Sequence, residues 1–353
     1  MESVSLLKDL IKIDSSTREG ANEAIDYCVK YLNTHGINGE LIENNGYKSF
    51  VATIGRGEKT LILNGHLDVV SGHASQFEPI EEDGKIIGRG SADMKSGCVA
   101  MIQAMIRLKD TPLNNRIMLQ LVSDEETGGV NCSNHLVKEG YLGDFVICTE
   151  PTQMKVSLQS KGIIRMDVIS EGVSAHGSRP WQGVNAITKA YKNYDKIEKL
   201  PILAIGTQFY EHSSLNLAFI EGGDIYNRVP DKCRIGLDIR YVPSLAPEDI
   251  IKEIESVVDG EVVVSVIEPG VNTGMDDPYV QAFSRIVEGY DDGKSCEYSV
   301  QHGGSDGRFY ASKGIPVIEF GPKGGFWHGD DEFVETESIN QLESILMDYM
   351  KIF

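Results

Sequence analysis

The residues most suggestive of chemistry are two adjacent acids, Glu125 and Glu126, which follow the apolar run Arg116-Ile117-Met118-Leu119-Gln120-Leu121-Val122. Turn formers bound the run and Gly128-Gly129 end it, so it reads as a buried strand that stops on the acid pair. Two neighbouring carboxylates at such a point repel each other and lose hydration, which leaves little purely structural use for both. A cation would relieve the repulsion. Ligand-type residues recur at comparable places. Thr60-Leu61-Ile62-Leu63 is a short strand that runs into Asn64-Gly65-His66-Leu67-Asp68, with His and Asp two apart on one side of the chain. A lone His of this kind is more often a satisfied core residue, but a carboxylate able to orient its ring favours a ligand. A third apolar strand, Asp144 to Thr149, ends on Glu150-Pro151. Three successive strand ends thus deliver acids or a His, and open α/β sheets bind ligands at the C-terminal ends of their strands.

Two further residues join this set on weaker grounds. Asp93 closes the turn Gly88-Arg89-Gly90-Ser91-Ala92-Asp93 ahead of a helical pattern from 94 to 109, where it is either an N-cap or a ligand. The glycines do not have the GxGxxG spacing of a dinucleotide site. His328 lies in the loop Gly321-Pro322-Lys323-Gly324-Gly325-Phe326-Trp327-His328, just past a strand at 315 to 320.

The elements that must hold these residues alternate between strand and helix. Helices are expected at 3–13 and 21–35, the second stopped at Gly36, and strands at 48–54, 60–63, 116–122 and 144–149. Residues 130–140 read as a further helix. The texture changes after about Ser160. A half-exposed strand at 161–171, a helix at 183–198, strands at 214–221 and 231–242, a helix at 247–258 and a strand at 261–267 follow. That order describes a small two-layer α+β sandwich inserted into an α/β domain. Pro269-Gly270 and Asp277-Pro278 mark the return, followed by a helix at 278–290, a strand at 296–300 and a last helix at 336–351. The expected division is therefore 1–160 and 271–353 for the α/β domain and 161–270 for the insertion.

Composition excludes some functions. A formal charge of -20 over 353 residues opposes binding to nucleic acid or anionic lipid. No apolar run approaches the ~20 residues of a membrane-crossing helix, and the amphipathic N-terminus is unlike a signal peptide. The six cysteines form no CxxC pair, so free thiols in a reducing cytoplasm are expected.

Taken in order, NGHLDVV (64–70), GRGSADMKSG (88–97), SDEETGG (123–129), TEPT (149–152), SAHGSRPWQGVNAI (174–187), NRVPDKCRIGLDIR (227–240), GGSDGRF (303–309) and GPKGGFWHG (321–329) span nearly the whole chain. Together they resemble the M20 metallopeptidase and amidohydrolase family, which includes acetylornithine deacetylase, succinyl-diaminopimelate desuccinylase, aminoacylase and glutamate carboxypeptidase. The resemblance implies a mixed-sheet α/β/α catalytic domain of the zinc-peptidase type, with the insertion serving as lid and dimerisation domain. It implies a dinuclear site in which Asp93 bridges two ions, His66 and Glu150 complete one, and Glu126 and His328 complete the other. Asp68 would orient His66. Glu125 would be the general base on a water between the ions, where ions ~3.5–4 Å apart clamp nucleophile and oxyanion. Imidazole and carboxylate ligands without thiolate suit Zn²⁺, with Co²⁺ or Mn²⁺ as further options.

The resemblance also makes His176 an oxyanion donor, working on the partner subunit's active site in a homodimer. It puts Arg240, Asn227, Arg179, Gly304 and Ser305 on the substrate side; an Arg fork suits a carboxylate. The implied reaction is hydrolysis of the amide bond of an N-acyl amino acid, of the N-succinyl-diaminopimelate or N-acetylornithine type. Two departures bear on the substrate: Leu67 stands where many relatives have Thr, and Gly304 where a Thr is often found. The alternatives are a dipeptidase or carboxypeptidase on the same scaffold, or a metal-free binding relative without catalysis.

Overall fold

The strands that end in acids or a His are held in place by their neighbours. The computed structural model describes residues 2–290 and 294–353. The chain begins with helices α1 (Glu2–Ile11) and α2 (Arg18–Thr34) and strands β1 (Gly39–Asn44), β2 (Tyr47–Ile54) and β3 (Thr60–His66). A hairpin of β4 (Ile80–Glu82) and β5 (Lys85–Ile87) precedes helix α3 (Ser96–Leu108), strand β6 (Arg116–Val122) and helix α4 (Ser133–Lys138). Then come β7 (Phe145–Cys148), β8 (Val156–Ser160), β9 (Gly162–Glu171), α5 (Ala186–Ile197), β10 (Ser214–Gly222) and β11 (Lys232–Tyr241). Helix α6 (Pro247–Val257), β12 (Glu261–Glu268), α7 (Pro278–Gly289), β13 (Tyr298–Gln301), α8 (Gly307–Ala311) and β14 (Val317–Glu319) follow. The chain closes with β15 (Gly324–Gly325), β16 (Phe333–Glu335) and α9 (Thr336–Ile352).

Two compact units result, one of Met1–Leu158, Thr273–Ser299 and Ser305–Phe353, the other of Gln159–Asn272 and Val300–Gly304. The first is built on a mixed sheet with strand order β1-β2-β6-β3-β7-β14-β8-β13 among the described residues. Strand β3 runs parallel to β6 and to β7, and β14 runs parallel to β7. Every residue of β3 is buried, as expected for a central parallel strand covered on both faces. Its two faces differ. Gly65 points at α3, where a Cβ would stand 2.7 Å from Met101 Cε and 2.8 Å from Cys98 Sγ, so a larger residue would displace those side chains. Asn64 points the other way and donates to Ser133 Oγ of α4 at 3.2 Å. Helices therefore cover both faces, which makes this an α/β/α unit. Helix α3 is buried from Ser96 to Met105, packed between the sheet and α9. A separate small sheet, ordered β15-β16-β5-β4, lays the stretch before β16 beside the turn that carries Asp93.

The second unit is an antiparallel sheet of order β10-β11-β9-β12. Ile164, Met166 and Val168 of β9 and Ile235, Leu237 and Ile239 of β11 alternate onto one face, under Ala190 and Ile197 of α5 and Ile250 and Ile254 of α6. The opposite face is charged: Arg234 pairs with Asp167, and Arg165 with Asp238. This is a two-layer α+β sandwich. All six cysteines are free and five are buried. No helix among the described residues is long and apolar enough to cross a membrane.

Candidate metal centre

The parallel strands place their C-terminal ends along one edge of the first unit's sheet. His66 is the last residue of β3 and lies level with Val122 of β6. Three residues beyond Val122 the chain makes a single tight turn, Glu125–Thr127, which turns the acid pair back over the sheet edge. Glu150 stands two residues past β7. Asp93 is not the cap of α3: Lys95 holds the N-cap position, and Asp93 and Met94 have non-helical backbone angles with a cis peptide bond between them. Its carboxylate is thus free for the site. The turn before it needs Gly90, whose φ of +76° is left-handed and whose Cβ would stand 2.6 Å from Val69.

Six side chains converge. His66 Nε2 lies 3.3 Å from Asp93 Oδ1 and 3.9 Å from Glu150 Oε2 and from Glu125 Oε2. His328 Nε2 lies 3.4 Å from Asp93 Oδ2 and 3.1 Å from Glu126 Oε1. Three groups bring their ligand atoms within 4.8 Å of one another: His66/Asp93/Glu150, Asp93/Glu126/His328 and His66/Glu125/Glu126. The first two share Asp93 and leave Glu125 unused. Asp68 lies beneath: its backbone carbonyl is 2.9 Å from His66 Nδ1, its Oδ1 is 3.6 Å away, and its Oδ2 accepts the Glu126 N–H at 2.9 Å. Asp68 therefore fixes both the ring of His66 and the backbone of the acid pair.

The electrostatics are those of a crowded anionic site. Burial pushes the Glu125 and Glu150 carboxyls well above the usual range; each is helped by neighbouring carboxylates and opposed by His66. Burial raises Asp68 to about 7. Burial alone would lower His66, but Asp93, Glu150, Asp68 and Glu125 outweigh it and hold His66 well above an ordinary His. Hydrogen bonds to Asp93 and Glu126 raise His328 to about 10. Asp93 behaves oppositely: burial would raise it, but His328 and His66 keep it below the ordinary Asp range.

Other residues attend the site that nothing in the sequence singled out. Arg308, buried in α8, donates to the carbonyls of Ser305 at 2.7 Å and Gly128 at 2.8 Å, and its Nη1 lies 3.8 Å from Glu125 Oε1. Glu332 and Arg89 form a buried ion pair at 2.8 Å beside the Asp93 turn. The remaining candidates have these positions. Ser305 is buried and its hydroxyl donates to Glu319 Oε1 at 2.6 Å. His176, Arg179, Asn227, Arg240 and Gly304 belong to the second unit. There, His176 is exposed, and its Nδ1 lies 2.8 Å from Ser178 Oγ and 3.2 Å from the Ser178 backbone nitrogen. The Asn227 carbonyl accepts the Gly177 N–H at 2.7 Å, and Arg179 is exposed. Arg240 is engaged by Asp238, with Nε donating to Oδ1 at 2.7 Å.

Residues 62–352 match the sequence pattern of peptidase family M20/M25/M40. The chain belongs to this family. M20 proteins are metal-dependent hydrolases, and the His/Asp/Glu cluster is where this chain can hold metal. A curated relative named "Probable succinyl-diaminopimelate desuccinylase", from Staphylococcus epidermidis, is 29% identical over 82% of this chain and 81% of its own. A succinyl-diaminopimelate desuccinylase from Nitratiruptor sp. is 26% identical over the full length of both chains. Among solved structures, the aminopeptidase PepT from Bacillus cereus superposes with a TM-score of 0.83 at 22% identity, covering 99% of this chain and 97% of that one. The YXEP protein of Bacillus subtilis, described as a dinuclear metal binding peptidase from the M20 family, gives 0.75 at 14% identity, covering 99% and 97%. At these identities the structural matches establish the fold.

The residues present fit divalent ions. The donors are imidazole nitrogens and carboxylate oxygens, the set that suits Zn²⁺ and its neighbours in the first transition row. Asp68 Oδ1 is buried without a hydrogen-bond partner and faces His66 Nδ1, as needed once His66 Nε2 is committed to a cation and Nδ1 carries the proton.

Proposed function

We propose that this M20 protein is a dinuclear amide hydrolase acting on an N-acyl amino acid, with N-succinyl-diaminopimelate as its first candidate substrate. The observation that carries this reading is the pair of ligand groups, His66/Asp93/Glu150 and Asp93/Glu126/His328, that share Asp93 and leave the half-buried Glu125 beside them. In this reading His66 and Glu150 would hold one ion and Glu126 and His328 the other, with Asp93 available to both. Bound there, two divalent ions, Zn²⁺ in the first instance, polarise the amide carbonyl and acidify water. Glu125 takes the proton from the attacking water and passes it to the departing amine. Arg308 restrains Glu125 from the side away from His66. His176 offers a ring N–H to the developing oxyanion.

The curated relatives' names support the acyl group, and the first unit's chemistry supports the amide. The first unit is the catalytic domain and the second the lid, through which two copies pair. Asn227, Arg179 and Arg240 are its candidates for substrate carboxylates; Arg240 must release Asp238 to serve. A cytoplasmic site of action agrees with the free thiols. The test is a panel of N-succinyl, N-acetyl and dipeptide substrates with added Zn²⁺ or Co²⁺. Release of succinate from N-succinyl-diaminopimelate is expected, and turnover of dipeptides alone would overturn the reading.

A further inference from the structure

The carboxylate of Glu332 is buried, 1% exposed, and it accepts from three backbone N–H groups of the turn that carries Asp93 and from the Arg89 guanidinium. Oε1 accepts the Ala92 N–H at 3.0 Å and the Asp93 N–H at 3.1 Å. Oε2 accepts the Gly90 N–H at 3.1 Å and the Arg89 guanidinium at 2.8 Å. The same guanidinium donates from Nη2 to the carbonyl of His328 at 3.3 Å. One ion pair thus holds the backbone N–H of Asp93 on one side and the backbone carbonyl of His328 on the other.

Those two residues need such a fixture. Asp93 sits in an irregular turn, outside any helix or ladder. The His328 side chain is 52% exposed, so packing does little to hold it. Its backbone is left-handed, φ +60°, an arrangement that a non-glycine residue keeps only when its surroundings impose it. Gln76 adds a second tie, donating to the carbonyls of Gly329 at 3.1 Å and Asp330 at 3.2 Å. A buried carboxylate is costly unless it is paired and hydrogen-bonded, and here the whole of that pairing is given to the ligand-bearing turn.

We propose that Glu332, with Arg89, is a positioning residue that sets the separation of Asp93 and His328 and so forms the Asp93/Glu126/His328 metal group. The proposal rests on the metal reading above. The other group shares Asp93 but takes its remaining ligands, His66 and Glu150, from the last residue of β3 and from two residues past β7, and the Glu332–Arg89 pair touches neither. A Gln at 332 would turn an NH₂ towards backbone N–H groups, and an Asp would be too short to reach both sides.

The test is calorimetric titration of Co²⁺ into metal-free protein, with hydrogen exchange of the segment 88–97 followed in parallel. Wild type is expected to bind two ions. Glu332→Gln should bind one as wild type does and the other at least ~10-fold more weakly, the usual cost of losing a group that orients a ligand. Exchange across 90–93 should accelerate. Arg89→Lys, which keeps the charge but loses the fork to His328, should weaken the same ion and serves if Glu332→Gln does not fold. Unchanged Co²⁺ binding in a folded variant overturns the proposal, as does equal weakening of both ions alongside a fall in melting temperature. Fewer than two ions in wild type would instead refute the metal reading itself and the proposal with it.

Discussion

Replacing Glu125 and Glu126 one at a time separates their roles, because the structure gives the two neighbours different partners. Glu125 Oε2 is 3.9 Å from His66 Nε2 and its Oε1 is 3.8 Å from Arg308 Nη1. It is absent from both ligand groups that share Asp93. Glu126 Oε1 is 3.1 Å from His328 Nε2 and belongs to the second of those groups. Glu125→Gln keeps size and hydrogen bonding but cannot accept a proton, so it should cost the general-base contribution, about 10²–10⁴ in kcat. That is about 3–5 kcal/mol in the barrier at ~1.4 kcal/mol per decade. KM should change little, because the contribution belongs to the transition state. Metal content after dialysis, read by elemental analysis, should remain at two ions per chain. Glu126→Gln should show the reverse order of events, losing one ion first and activity as a consequence. The assignment fails if Glu125→Gln protein loses metal, or if it turns over within tenfold of wild type with metal intact. In the first case the two roles are exchanged.

Two further outcomes follow from the same geometry. Glu319 is buried at the end of β14, and burial, opposed by the Ser305 and Ser157 hydroxyls and aided by Asp93, raises it from 4.5 to about 7. The folded state then holds this proton more tightly than the unfolded chain, so its stabilising effect is full below ~4.5 and is lost as pH rises through ~7. Metal-free Glu319→Gln should lack that slope, gaining on wild type by up to about 3 kcal/mol between pH 4.5 and 8 in denaturant titrations; parallel curves for the two proteins refute it. His176→Ala should lower kcat by about 10²–10³ with metal content unchanged, the loss expected for one oxyanion donor, and unaltered turnover would remove His176 from the mechanism.

Much of the first unit could be read from residue order because short apolar runs with terminal acids have few other uses. Leu61 to Leu63, Ile117 to Val122 and Phe145 to Cys148 each became a buried strand ending at the site. What escaped was of three kinds. Strand β1 lies at the sheet edge with an exposed face, and β15 and β16 are two and three residues long, too short for any periodicity to register. Helix α8 begins one residue after Asp306, where GGSDGRF reads as a turn, and its five residues leave no repeat to detect. The third kind is the buried polar layer. Asn64 and Gln120 interrupt apolar strands on the face towards α4 and are paired there by Ser133 and Tyr310. Glu332 was equally hidden, since an acid among Asp330, Asp331 and Glu335 looks like a solvated surface until the fold buries it.

The charge of the cluster bears on how many ions it holds. In the proposed assignment Asp93, Glu126 and Glu150 as ligands and Glu125 as base would amount to four negative charges when ionised, all within reach of His66 or His328. With both histidines neutral, as ligation requires, one dication leaves two charges uncompensated in a buried site, and two dications leave none. In the absence of a cation the neighbouring carboxylates raise His66 and His328, and burial raises the Glu125 and Glu150 carboxyls. Metal and protons therefore compete for one set of groups, and binding of the second ion must release protons. Because His328 titrates near 10 without metal, the Asp93/Glu126/His328 group should bind its ion more tightly as pH rises. The adjacency of Glu125 and Glu126 then has a physical reason. In the proposed assignment the tight turn at the end of β6 gives Glu125 to the attacking water and Glu126 to an ion, and Asp68 holds that turn by accepting the Glu126 N–H.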